Sequence, residues 1–346
     1  MFPETESFLK LPNDKLGPSR REVHHRLKRD ENVRNISLYT LFKVNGIAAM
    51  SEIAELDFLT SMAAVSTADY DVPEDALRWL GKNWSICAPL LIDSLRQFVS
   101  GKDRTEANAH SLTFTTLLMA ERREPKAFEP LCDLAMVSDQ LIDQTMGDDW
   151  VTSTLPSLFV STYDGNASRL KRLIESPKTD QFARSSALEA FTCLTALGSI
   201  EMAEARAYFS DLSRTLKPRS ENFIWTMWAT ANGQLGFVEN VDAVKAAFDQ
   251  GFISPYDMSY RDFEIDLEVA KTKGAQEYLK TSHVAVIEDA VAVLSGWYHF
   301  SDQRKIDEKR AAAHRLLSAK NIDVPVPIRD QKVGRNEPCL LSLIHI

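Results

Sequence analysis

Glycine is scarce in this chain, at 13 of 346 residues, and few segments alternate apolar with polar side chains. Both features argue against sheets, whose half-buried strands need a period of two. The four cysteines, Cys87, Cys132, Cys193 and Cys339, are far apart. Three of them sit inside apolar helical patterns and read as reduced core residues rather than a disulfide framework. No apolar run reaches the roughly 18 residues that a membrane span requires. The opening Met1-Phe2-Pro3-Glu4-Thr5-Glu6 lacks the basic-then-apolar order of a secretory signal, so a cytoplasmic address is the expectation. Positive charge is also short: 40 Lys and Arg face 49 Asp and Glu, a net charge of −9. An acidic chain is a poor general binder of nucleic acid or anionic membrane. No Gly-rich phosphate loop, His-Glu-x-x-His pair or Gly-x-Ser-x-Gly elbow occurs. The seven histidines include no pair at metal-ligand spacing on a helix. His24 and His25 are adjacent, so they would point to different sides of one.

What the chain does have is helical periodicity. From Arg184 to Gly198, the residues Ala187, Leu188, Phe191, Leu194 and Thr195 fall on one face, and Gly198 is placed to end the helix. Similar spacing predicts helices over 73–80, 86–99, 105–122, 125–137, 150–163, 167–175, 200–216, 221–231, 241–250 and 283–297. The breakers between them are short, such as Asp164-Gly165-Asn166 and Ser176-Pro177, which favours antiparallel neighbours. Helix pairs recur at roughly 35 to 40 residues, the spacing of helical-repeat arrays. The segment Phe182-Ala183-Arg184-Ser185-Ser186-Ala187-Leu188-Glu189-Ala190-Phe191 is similar to the second half of a HEAT repeat, where an arginine opens a helix whose Ala-Leu face packs on the next repeat. The expected fold is therefore all-α, a HEAT-like array (α-solenoid) of stacked antiparallel helix pairs. One pair cannot bury its own apolar face, so neighbours must stack.

The two ends differ from this body. Residues 1–50 hold nine basic and six acidic side chains, with Arg20, Arg21, Arg26, Lys28 and Arg29 clustered beside His24 and His25. That arm suits RNA or an acidic protein surface, or else it is a solvated leader; Met50 is an alternative start to Met1. Near the other end, Ile322-Asp323-Val324-Pro325-Val326-Pro327-Ile328 reads as an extended linker, because alternate prolines exclude helix. After it, Gly334-Arg335-Asn336-Glu337-Pro338-Cys339 resembles the opening of the SEC-C zinc motif. Leu341 stands where that motif has its second cysteine, and the chain stops at Ile346. One thiolate does not make a tetrahedral site. Zinc is therefore expected only in a longer form, with Cys339 as its first ligand, and none in this chain. The tail Leu341-Ser342-Leu343-Ile344-His345-Ile346 resembles translated adapter sequence, which suggests a cut-off gene fragment. The organisation expected is an extension over 1–71, a helical-repeat domain over 72–320, a linker over 321–332 and the truncated motif over 333–346.

Four stretches of the body, Arg123-Glu124-Pro125-Lys126-Ala127, Gly147-Asp148-Asp149-Trp150, Arg184-Ser185-Ser186-Ala187-Leu188-Glu189-Ala190 and Val244-Lys245-Ala246-Ala247-Phe248-Asp249-Gln250-Gly251, resemble those of a bacterial family called domain of unknown function 1186. The resemblance spans about Val72 to Lys271 and implies an all-helical repeat fold with no established activity. Members commonly carry a C-terminal SEC-C motif. In the preprotein translocase ATPase that motif is a docking element, so the resemblance implies protein partners.

No catalytic residue stands out. The best polar candidates for partner contact are Asp148, Asp149, Trp150 and Arg184. Adjacent carboxylates at 148 and 149 suit a cation or a basic peptide; alternatively Asp149 caps the helix that follows and Trp150 packs in a groove. Trp225 and Trp228 are three residues apart and either line a ligand groove or fill the core. The acids Asp257, Asp262, Glu264, Asp266 and Glu268 make either a recruiting edge or a solvated helix face. The expected function is a protein-interaction scaffold. Hydrolysis at Asp148 and Asp149 is the alternative, and nucleic-acid binding through the basic arm a weaker one.

Overall fold

The computed structural model describes residues 52–147 and 149–319, and among these every regular element is helical. The basic arm, Met50, Asp148, the proline run and Cys339 lie outside the described residues.

Two helices open the body, α1 (Glu52–Ser66) and α2 (Glu74–Lys82). Five pairs follow. Their first members are α3 (Trp84–Ser100), α5 (Phe128–Leu134), α9 (Ser168–Glu175), α11 (Met202–Thr215) and α13 (Val241–Asp249). Their second members are α4 (Glu106–Glu121), α8 (Leu155–Thr162), α10 (Gln181–Ala196), α12 (Phe223–Leu235) and α14 (Tyr260–Lys273). Two short helices, α6 (Asp139–Met146) and α7 (Trp150–Ser153), are inserted in the second pair. The second members pack in chain order, α4 on α8, α8 on α10, α10 on α12 and α12 on α14. This continuous row is the mark of a repeat array in which each unit leans on its neighbours.

Local chemistry sets the ends of these helices. The Asp180 carboxylate accepts from the amides of Phe182 and Ala183 and starts α10. Gly198, at φ 79°, ends it as its position predicts. Ser259 and Asp262 cap α14 reciprocally, which satisfies two otherwise orphaned donors. Successive repeats are also tied on the first-row side. Lys171 of α9 meets Glu204 of α11 at 2.8 Å, and Arg206 of α11 meets Glu239 at 2.8 Å, each pair 33 residues apart in the chain. The two cations lie over aromatic rings, Lys171 over Tyr208 at 4.8 Å and Arg206 over Phe237 at 5.0 Å. Exposed ion pairs add little stability; these fix the register of one repeat on the next.

Two boundaries differ from expectation. The packed body begins at α1, ahead of residue 72: Phe58, Met62 and Val65 are buried at 0–1% exposure, and α1 packs on α2 and α4. The helix expected over 283–297 exists only as α15 (Ala290–Gly296). Ser282 to Asp289 is non-helical instead, because amides that a helix would use internally are held by serine hydroxyls of α8. Beyond it, α16 (Asp302–Ala319) returns to the start of the body, where Lys305 meets Asp71 at 2.8 Å.

Gly233 lies inside α12 where α14 crosses it. A Cβ there would stand 3.0 Å from the Asp266 Cβ and 3.2 Å from the Phe263 carbonyl oxygen, too close without moving α14. Gly233→Ala is therefore expected to lower unfolding free energy by about 2 kcal/mol, as overpacking does, in urea denaturation. A variant as stable as wild type would show that the α12–α14 contact is not close-packed.

Candidate functional site

The expected contact residues separate into core and surface. Trp150 is 3% exposed and Arg184 1%, so both face inward. Arg184 stands in the first turn of α10 and donates its Nε to the Ile174 carbonyl at the end of α9, at 2.8 Å. It staples the two helices of one repeat across their turn. Burial lowers its pKa. Asp149 sits at the cap position of α7, but its side chain makes no cap bond. Its carbonyl instead accepts from Ser153, and the residue is exposed. Asp148 lies outside the described residues, so Asp149 is the surface member of this group.

The tryptophan pair belongs to the core. Trp225 and Trp228 meet edge to face, centroids 5.5 Å apart, at 1% and 0% exposure. Each indole N–H has a carbonyl partner, Pro218 at 2.7 Å and Phe209 at 3.1 Å, which removes the penalty of burying it. The acidic stretch is mostly spent locally: Asp262 caps α14, Glu264 pairs with Arg261 at 3.3 Å and Glu268 with Lys271 at 2.9 Å. Asp266 differs. It faces a shallow cleft of about 260 Å³ shared with Lys273, Glu277 and Tyr278. Burial, with Asp262 nearby, pushes its pKa to about 6.

The densest group of chemically active side chains was not singled out from sequence. It lies where the return segment crosses α10. His283 Nε2 is 3.6 Å from the Glu189 carboxylate and 3.4 Å from the Thr152 carbonyl oxygen. Cys193, one turn beyond Glu189, places its thiol 3.9 Å from the Val284 carbonyl. Burial raises the Glu189 carboxyl to about 7, and His283 opposes that rise. Burial also raises the Cys193 thiol to about 11 and the Cys87 thiol to about 12; Cys132 is raised too. A thiol needs its thiolate to act as nucleophile or metal ligand, so these cysteines are core residues, as their sequence context indicates. Among the described residues, no group of three or more His, Cys, Asp or Glu side chains is placed to hold a metal, and no helix is long and apolar enough to cross a membrane. The Glu189–His283 pair can hold or pass a proton, but it joins the return segment to α10 and does not front a deep cavity.

One edge of the array carries exposed aromatic groups. Phe182 opens α10 at 40% exposure and packs on Phe223, which opens α12, with centroids 5.2 Å apart. Tyr256, in the loop before α14, is 97% exposed. All three stand where the chain enters a second-row helix; exposed Asp149 precedes the inserted helix α7.

These features define an all-helical repeat protein whose chain folds back over its own second row. The chain belongs to the family described as Protein of unknown function (DUF1186), whose model matches residues 59–301. No curated protein and no solved structure matches it.

The pH dependence has a definite sign. A carboxyl with a raised folded pKa binds its proton more tightly folded than unfolded, so stability is greatest at low pH and falls as pH rises through the folded value. For Glu189 the fall runs from about pH 4.5 to about 7, and its size is on the order of 3 kcal/mol. Glu189→Gln should flatten that part of the stability–pH curve and match or exceed wild type at pH 8. Equal slopes in the two proteins by chemical denaturation would refute the assignment.

Proposed function

We infer that this chain is a protein-interaction scaffold. The observation that carries the reading is the aromatic edge formed by Phe182, Phe223 and Tyr256. Repeat arrays build long surfaces from equivalent loops, and aromatic residues are enriched where proteins meet. A tyrosine at 97% exposure contributes nothing to its own core; it is placed for contact, as is Phe182 on its Phe223 support. Exposed Asp149, ahead of the inserted helix α7 that packs on α10, adds negative charge and suits a partner with a basic group beside an apolar one. In a longer form, a zinc knuckle opening at Cys339 would supply a second contact, tethered by the proline run.

The test is a pair of substitutions at exposed positions. Phe182→Ser with Tyr256→Ser should leave the circular dichroism and melting temperature nearly unchanged, because exposed residues add little to stability. The same protein should lose a partner that wild type retains from source cells and rebinds when both are purified, with Kd raised at least about tenfold, the effect of losing interface anchors. Undiminished rebinding by the double variant would rule out the edge. A full-length chain with no specific protein partner would rule out the scaffold itself.

A further inference from the structure

From Ser282 to Asp289 the chain crosses the second row of helices without helical structure, and α15 begins at Ala290. Its buried side chains are Val284, Ile287 and Ala290, at 2%, 5% and 0% exposure. Val284 and Ile287 thus stand three residues apart on the non-helical stretch, and Ala290 opens α15. The backbone is read as well as the side chains. Ala285 donates its amide to Ser157 Oγ at 3.2 Å, Ile287 to Ser161 Oγ at 2.9 Å and Ala290 to Glu121 Oε2 at 2.8 Å. Ser157 and Ser161 are one turn apart on α8, about 6 Å along its axis. Two residues of extended chain also span about 6 Å. The hydroxyl acceptors therefore match the amide donors of a non-helical peptide running beside α8.

The flanking contacts are weaker. Arg123 meets Glu288 at 2.6 Å and Arg78 meets Asp289 at 2.8 Å, but all four side chains are at least 38% exposed, where ion pairs are screened. His283 approaches Glu189 from a side chain that is 57% exposed. Upstream, Gly274 at φ 89° begins the turn into this segment. The segment is therefore held by three small apolar side chains and three amides, between solvated ends.

We propose that the second-row face is a peptide groove, that the non-helical stretch Ser282–Asp289 with Ala290 is its intramolecular occupant, and that a protein partner inserts a non-helical segment with branched apolar side chains three residues apart in its place. Recognition of main-chain amides through hydroxyls, with shallow apolar seats between them, is not tied to one sequence. The proposal rests on the scaffold reading and adds where the partner binds and what it presents.

The experiment uses the full chain and a fluorescein-labelled peptide with the sequence of residues 282–290, followed by anisotropy. Wild type should bind the peptide weakly, because its own segment competes at high effective concentration. Ile287→Glu releases that segment and should bind the peptide at least tenfold more tightly. Adding Ser157→Ala and Ser161→Ala to it should remove that gain. A folded Ile287→Glu chain that binds no better than wild type overturns the proposal. So does a gain in affinity that survives loss of both serines. Exchange of the segment between two copies, seen as a wild-type dimer by light scattering, would make the second copy the occupant and also overturn it.

Hydrogen exchange on wild type keeps the test open should Ile287→Glu fail to fold. The amides of Ala285, Ile287 and Ala290 should exchange at least 100-fold faster than those in the middle of α10, through local release. Exchange at the same rate as α10 would mean the segment leaves only on global unfolding and would refute the groove. Peptide failure beside an intact partner that depends on Phe182 and Tyr256 removes the groove alone. Undiminished partner binding by the Phe182→Ser, Tyr256→Ser variant, beside peptide binding, removes the edge alone.

Discussion

A row of stacked helices has two faces to cover, and in this protein the second is covered by the chain itself. The first row packs on one side of α4, α8, α10, α12 and α14. The return segment then passes back along that second row, touching α14, α12 and α10 from Ala275–Lys280, α8 from Ala285 and Ile287, and α4 from α15. A non-helical chain can lie there only if its amides find acceptors, since a buried unpaired N–H costs as much as a lost hydrogen bond. Ser157, Ser161 and Glu121 provide them. The segment ends beside α1 and α2, where His299 donates to the Asp69 carbonyl at 2.7 Å and the Arg304 guanidinium lies 3.8 Å from the Tyr70 ring centroid. The two ends of the described chain are thus brought together by a segment in which short helical turns flank the non-helical stretch Ser282–Asp289.

The rest of the array follows from having such a cover. Each repeat needs its two helices fixed before the row can be continuous, and Arg184 does this for α9 and α10 by holding the Ile174 carbonyl. The charged pairs on the first-row side, Lys171 with Glu204 and Arg206 with Glu239, set the spacing of successive units. The aromatic packing beneath them, Phe191 with Tyr208 and Phe209 with Phe237, supplies the burial. Among the described residues no sixth repeat stands behind α14 at the end of the row, and Ile265 is 47% exposed there.

Much of this was legible in the sequence, because most elements are amphipathic and α-helical period is a local signal. The 35-to-40-residue spacing, the stop at Gly198 and the helix over 105–122 all follow from residues within one or two turns. The return segment was not legible. Val284 and Ile287 stand three residues apart, a spacing that a helix also allows, and the acceptors that decide against a helix lie more than 120 residues away. The start of the body was missed for a related reason: Phe58 and Met62 are buried by α2 and α4, not by anything within α1. Asp149 shows the limit of local rules at the candidate site. Its position predicts a side-chain cap, but the turn puts it in helical backbone with its carboxylate turned away. The pair of Glu189 and His283 joins two segments that sequence periodicity placed in separate helices.

A scaffold whose second-row face is already filled has its aromatic edge free and its groove in reserve, and both depend on the chain returning to its start. That return is the central claim. It is tested most directly by the distance between spin labels on cysteines introduced at exposed Thr67 and Gln303, in a full chain with Cys339 changed to Ser. The account predicts one short, narrow distance distribution, because Lys305 meets Asp71 at 2.8 Å just beyond the labelled sites. A broad distribution centred at long distance would show that the C-terminal segment does not lie along the array, and the account would fail with it.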